Sequence, residues 1–190
     1  MNSYLTIPNA LTFLRGLGAP LFAYVALSLE ADGWAILILM VGGVTDYLDG
    51  KLARAWGQTS RFGELADPSI DRIYILVTLV VLYIREAIPL WVIAALLLRD
   101  AVLALMTILL KARGHGPMQV TFIGKAATFN LLYAFPLLLL ALRDDAWGAA
   151  AFIFGWAFAL WGVALYLYTG VTYFLTAWRT IRLPKSSLMN

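Results

Sequence analysis

The segment from Asp46 to Arg72 reads DYLDGKLARAWGQTSRFGELADPSIDR and holds five carboxylates. Asp46 and Asp49 are spaced i,i+3, and Asp67 and Asp71 are spaced i,i+4, so on helices each pair lies along one face. Two such helices folded back around Gly57 to Gly63 bring the four acids face to face. Carboxylates at that range repel unless cations lie between them. Oxygen donors without thiolate or imidazole select Mg²⁺, Mn²⁺ or Ca²⁺ over zinc or copper. Two neighbouring ions of that kind suit chemistry at phosphate. Gly50 and Ala53 follow Asp46 by one and two turns and leave the helix face open to a bulky ligand. Gly63 precedes Asp67 by one turn, and Arg54 offers phosphate a planar fork. A plainer account pairs the acids with Lys51, Arg54, Arg61 and Arg72 in a solvated loop. It serves for any one acid, less well for four at this spacing. A cation transporter also carries intramembrane acids. Its acids more often lie mid-span on several helices, whereas these sit at the edges of two consecutive ones.

The rest of the chain sets these acids at a membrane. Of 190 residues, 62% are hydrophobic and 13% charged, and the mean hydropathy is +0.82. A soluble domain is nearer half apolar and about a quarter charged. Most of the outer surface must therefore face lipid. Cysteine is absent, which excludes disulfides, thiolate metal sites and a cysteine nucleophile. The net charge of +3 is too small to suggest nucleic acid as a partner. Met1–Ala10 lacks the basic start and cleavage site of a signal peptide.

A spanning helix needs about 20 mostly apolar residues. Six stretches qualify: Pro8–Leu29 with Pro20 inside, one from Trp34 into the Asp46 region, Asp67–Ile84, Leu90–Leu110, Val120–Leu142 and Trp147–Trp178. Six spans put both termini on one side. Arg15, Lys51, Arg54, Arg61, Arg72, Lys111, Arg113, Lys125, Arg179, Arg182 and Lys185 fall on that side, and only Arg85 and Arg143 in the opposite loops. This bias places the termini and the acidic segment in the cytoplasm. The expectation is an all-α integral membrane domain over residues 1–182 with a disordered tail, 183–190. In that tail region Arg179, Arg182 and Lys185 are drawn to anionic lipid.

The acidic segment resembles the signature of the CDP-alcohol phosphatidyltransferase family, D-x-x-D-G-x-x-A-R, eight residues, then G-x-x-x-D-x-x-x-D. Asp46, Asp49, Gly50, Ala53, Arg54, Gly63, Asp67 and Asp71 occupy its eight fixed positions with the same gap. The resemblance implies six helices around a polar cavity open to the cytoplasm, and a homodimer. It also implies two divalent cations, Mg²⁺ or Mn²⁺, held by Asp46, Asp49 and Asp67, with Asp71 sharing a metal and acting as general base. Asp49, Gly50, Ala53, Arg54 and Gly63 then bind the CDP-lipid, CDP-diacylglycerol.

The acceptor rests on other residues. Ile7-Pro8-Asn9-Ala10-Leu11-Thr12 through Arg15 resembles the opening of the phosphatidylglycerophosphate synthase and cardiolipin synthase branch. Glycerophosphate users resemble G-K-x-K-T before the fifth helix. Here Gly124-Lys125-Ala126-Ala127-Thr128 keeps Lys125 and has Ala127 at the second lysine. A phosphate monoester carries nearly two charges and a diester one, so a single lysine favours a diester such as phosphatidylglycerol over glycerol-3-phosphate. Arg99-Asp100 in the fourth helix is similar to the Arg-Asp of CMP-forming cardiolipin synthases. The whole chain is similar to actinobacterial proteins assigned to one or other activity, which implies a bacterial plasma membrane. Lys125, Arg99, Asp100 and Arg113 are the acceptor-binding candidates. Lys125 and Arg113 also read as positive-inside residues, and Arg99-Asp100 as a structural pair. His115 reads as a loop residue, and the tryptophans as interfacial or packing groups. Replacing the base, Asp71→Asn, is expected to abolish turnover while CDP-lipid binding partly survives. Full activity in an assay of CMP release would remove Asp71 from the mechanism.

Overall fold

The computed structural model describes the backbone of residues 7–56, 61–115 and 121–182, with side chains over 12–45, 48, 51, 69–115 and 121–181. Six helices follow in order: α1 (Ile7–Leu27), α2 (Asp32–Trp56), α3 (Arg61–Ile84), α4 (Leu90–Ala112), α5 (Phe122–Leu140) and α6 (Ala146–Arg182). No strand occurs among the described residues. The fold is all-helical, as the apolar periods require.

The helices follow the apolar stretches, with one boundary moved. α3 begins at Arg61 rather than near Asp67, so Gly63 lies in its first turn and only 57–60, outside the described residues, separate it from α2. A glycine is tolerated there because the first N–H groups of a helix lack intrahelical partners. The start expected at Val120 and the tail 183–190 also lie outside the described residues. Among the described residues, three helices are long and apolar enough to cross a membrane: Leu90–Ala112, Phe122–Leu140 and Ala146–Ile181. Thr12–Leu27 and Asp32–Thr45 are shorter apolar helical stretches. α6 has 37 residues. At 1.5 Å per residue it extends about 55 Å, well beyond a hydrocarbon core of about 30 Å.

The chain forms two compact units, Met1–Ile88 with Phe135–Gly155, and Pro89–Ala134 with Trp156–Asn190. In the first, α1 packs against both α2 and α3. Its buried residues Thr12, Arg15, Ala19, Phe22 and Ala26 recur every three or four positions, the stripe of a helix with one packed face. Tyr74 of α3 reaches across to α2, donating its hydroxyl to the Ile38 carbonyl at 3.1 Å. Gly42 makes room for that ring: a Cβ there would lie 2.6 Å from the Tyr74 hydroxyl. In the second unit, Met106 and Leu110 of α4 pack on Ala177 of α6, flanked by Phe174 and Ile181. Gly162 of α6 admits Leu131 of α5.

Helix ends are closed locally. α4 stops in a Schellman turn, with Gly114 N–H donating to Lys111 and His115 N–H to Leu110, and with Gly114 at φ 75°. α3 stops the same way, through Glu86 to Tyr83 and Ala87 to Leu82, but the left-handed position is Glu86, at φ 57°. α6 starts on Asp145, whose Oδ1 accepts from Gly148 N–H at 2.9 Å. Arg143 holds the other oxygen, Oδ2, at 2.5 Å. That hydrogen bond, with the Gly148 N–H, holds the Asp145 carboxyl below its usual range. A Cβ on Gly148 would come 1.9 Å from the Arg143 carbonyl oxygen.

Two outcomes follow for thermal melts of the detergent-purified protein. Glu86→Gly relieves an L-residue of a left-handed backbone and should stabilise by about 1 kcal/mol. Gly148→Ala must displace backbone and should lower the melting temperature. An unchanged melt for Gly148→Ala would contradict the geometry of this cap.

Candidate functional site

The acids of the motif belong to the first unit, on α2 and α3. Both helices are continuous through them, so the i,i+3 and i,i+4 spacings set each pair along one helix face. Two contacts fix how α2 and α3 run past each other. At one end Arg85, just past the end of α3, meets Asp32 of α2, at 3.0 Å. Farther along, Tyr74 meets Ile38 and Gly42. Residue numbers rise on α2 while they fall on α3, so the helices are antiparallel. Ten residues along α2, from Asp32 to Gly42, correspond to eleven back along α3, from Arg85 to Tyr74. Positions 46 and 49 follow Gly42 by one to two turns on α2, and 67 to 71 precede Tyr74 by one to two turns on α3.

The Arg85 end is itself a junction of three helix termini. Arg85 donates to the Ala26 carbonyl at 2.5 Å, near the end of α1, and to Asp32 Oδ2 at 3.2 Å, at the start of α2. It thereby satisfies a carbonyl that the helix end leaves without an intrahelical partner. It also balances an acid that complements the α2 dipole.

Of the eight motif residues, only the Asp71 side chain is described; those of Asp46, Asp49, Gly50, Ala53, Arg54, Gly63 and Asp67 lie outside the described residues. Asp71 pairs with Arg15 of α1, whose Nη1 donates to Asp71 Oδ1. The two ends of this pair differ in environment: the Arg15 side chain is 3% exposed and that of Asp71 40%. Beside them Gly16 packs on Ile70, a Cβ there meeting Ile70 Cδ1 at 3.5 Å. Among the described residues no group of three or more potential metal ligands occurs. The donor chemistry nevertheless fits hard divalent cations. It comprises four carboxylates on two adjoining antiparallel helices, and Asp71, the one described, is open to its surroundings.

The acceptor candidates lie in the second unit. Arg99 and Asp100 pair with each other at 3.0 Å. Tyr166 of α6 completes the group. Its hydroxyl donates to Asp100 Oδ1 at 2.5 Å, and its ring lies under the Arg99 guanidinium, 3.9 Å from carbon to centroid. Thr169 Oγ1 accepts from Arg99 Nη2 at 3.4 Å, and the Tyr173 ring stands 6.0 Å from the same guanidinium. Gly170 gives Arg99 its seat, since a Cβ there would lie 2.7 Å from Arg99 Cγ. The sequence reading missed Tyr166, Thr169 and Tyr173. Their spacing of three and four residues along an otherwise apolar helix is the signal that was available.

Of the other candidates, Arg113 lies apart from this group. Arg113 follows Arg99 by fourteen residues on α4 and its end, a rise of about 21 Å. It caps α6, donating to the Ile181 carbonyl at 2.7 Å. Lys125 is exposed near the start of α5. That start is held by Tyr173, whose hydroxyl accepts from Thr121 N–H at 2.6 Å. Ala127, at the place of the second lysine, is 0% exposed. A lysine there would enter filled space, so packing by itself favours a small residue at this position. His115 follows Gly114 in the α4 turn, as a loop residue, with both ring nitrogens buried and without hydrogen-bond partners among the described residues. Trp147 and Trp161 are exposed.

Known proteins match this arrangement along most of its length. The family model for CDP-alcohol phosphatidyltransferase matches residues 5–168. A "Cardiolipin synthase (CMP-forming)" of Streptomyces coelicolor is 52% identical over 183 residues, covering 94% of this chain and 85% of its own. A "Putative cardiolipin synthase" of Mycobacterium tuberculosis is 42% identical over 97% of this chain and 88% of its own. The "CDP-diacylglycerol--glycerol-3-phosphate 3-phosphatidyltransferase" of Escherichia coli is 30% identical over 85% of this chain and 92% of its own. The eight-position motif, set on two adjoining helices, and these matches together make the chain an enzyme of the CDP-alcohol phosphatidyltransferase family.

Proposed function

We propose that this enzyme transfers a phosphatidyl group from CDP-diacylglycerol to phosphatidylglycerol, forming cardiolipin and CMP. The observation that carries the donor and the chemistry is the complete acid motif. The acceptor is supported by the single lysine at Lys125 and by identity of 52% to a relative named cardiolipin synthase, against 30% to one named for glycerol-3-phosphate.

Asp46, Asp49, Asp67 and Asp71 would hold two divalent cations, Mg²⁺ or Mn²⁺. Bound there, the ions neutralise pyrophosphate charge and make CMP a better leaving group. Gly50, Ala53 and Gly63 leave space for the cytidine diphosphate, and Arg54 pairs with its phosphates. Asp71 takes the proton of the acceptor hydroxyl. The freed oxygen forms its bond to the phosphorus that carries the lipid, and the bond from that phosphorus to CMP breaks. Lys125 and Arg99 supply the positive charge that attracts the acceptor phosphate, and Asp100, paired with Arg99, orients that guanidinium. Fixing both substrates in line supplies much of the remaining rate.

We infer six membrane crossings in a bacterial plasma membrane, with both termini and the acids on the cytoplasmic side, and a homodimer. The support is the excess of basic residues on one side of six apolar helices and the family resemblance.

Purified protein with CDP-diacylglycerol and Mg²⁺ or Mn²⁺ is given phosphatidylglycerol or glycerol-3-phosphate in parallel. CMP release is expected with phosphatidylglycerol and should cease on chelation by EDTA. Release with glycerol-3-phosphate alone would replace the acceptor. Ion movement across vesicles without CMP release would favour a transporter. Lys125→Ala should raise KM for the acceptor by about tenfold, the loss of one charge-assisted contact, with little change in KM for CDP-diacylglycerol.

A further inference from the structure

Arg15 occupies a position that helix packing would assign to an apolar residue. Thr12, Arg15, Ala19, Phe22 and Ala26 form the buried stripe of α1, and Arg15 lies within it with its side chain 3% exposed. A guanidinium in such a place is unfavourable unless it is paired. A merely positive-inside arginine would extend toward headgroups and water instead. Arg15 reaches Asp71 on α3, fifty-six residues away in sequence, and donates Nη1 to Oδ1. The neighbouring residues make the same approach, Gly16 receiving Ile70. The turn of α3 that carries Asp71 is therefore seated on α1 at two adjacent points. One seat is steric and the other ionic. The carboxylate so held is 40% exposed. Its cation holds it from the interior side.

We propose that Arg15 is a positioning residue for phosphatidyl transfer, holding the Asp71 carboxylate from the buried face of α1 in the orientation the reaction uses. This rests on the reading of Asp71 as a site carboxylate. A one-ångström misplacement of a reacting group can lower a rate by about 100-fold, so the orientation of this acid carries weight beyond helix packing. A lysine keeps the charge but presents a point donor in place of a planar fork.

The test joins kinetics of Arg15→Met and Arg15→Lys to a thermal double-mutant cycle of Arg15→Met, Asp71→Asn and Arg15→Met/Asp71→Asn, on the full chain in detergent or lipid nanodiscs. Arg15→Met should lower kcat by about 100-fold, with KM for CDP-diacylglycerol changed less than about threefold, and Arg15→Lys should recover part of the loss. Melting temperatures of the EDTA-treated proteins give the cycle, which needs no turnover. There Asp71→Asn should lower the melt less when Arg15 is already Met. Equal losses of melting temperature in both backgrounds, or an unchanged kcat in Arg15→Met, would overturn the positioning role. Full turnover in Asp71→Asn alone would overturn the underlying reading of Asp71, and the role of Arg15 with it. The two failures are therefore distinguishable.

Discussion

An arginine packed among apolar helices must find counter-charge or hydrogen-bond acceptors at close range, because neither water nor lipid supplies them there. Three arginines of this protein meet that demand in three ways, and the described architecture turns on them. Arg15 is buried in the stripe of α1 and takes Asp71 from α3. Arg85 gathers the end of α1, the start of α2 and the end of α3 through Ala26 and Asp32. Arg99 is enclosed by Asp100, Tyr166 and Thr169. Hydrophobic burial favours helix association in general, but it is indifferent to register. Ionic pairs at given positions are not, and those of the first unit hold α1, α2 and α3 at one relative height.

That register connects packing to chemistry. The Arg85–Asp32 contact and, nearer the motif, the Tyr74–Gly42 contact set α2 against α3. A slip of one turn would move Asp46 and Asp49 by about 5.4 Å relative to Asp67 and Asp71, more than twice a metal–oxygen bond. Gly42 serves the same end by letting the helices approach where a Cβ would meet the Tyr74 hydroxyl. In the second unit, Gly170 lets the Arg99 stem lie against α6. The aromatic face of Tyr166 then stabilises a charge that one carboxylate neighbour would leave half satisfied.

Sequence and structure divide unevenly over the two groups of polar residues. The motif acids were legible because Asp46, Asp49, Asp67 and Asp71 recur at helical spacing in a chain with few charges. The boundary of α3 was less legible. Gly63 reads as a breaker in a one-dimensional pattern, yet it lies inside the first helical turn. Arg99 and Asp100 stood out as charges in an apolar run, but their partners on α6 did not. Tyr166 and Thr169 are unremarkable members of a long apolar helix until it packs. Ala127 looked like a missing charge and is also a filled packing position.

By itself the sequence determined the class of protein, six helical segments and the enzyme family, since composition, apolar length and spacing along one helix are local properties. Tertiary structure alone decided which distant charges meet. Arg15 and Asp71 are fifty-six residues apart, and Asp100 and Tyr166 sixty-six. No local pattern encodes such pairs. They form because packing buries a cation, and a buried cation takes the acceptor that the adjoining helix brings within reach.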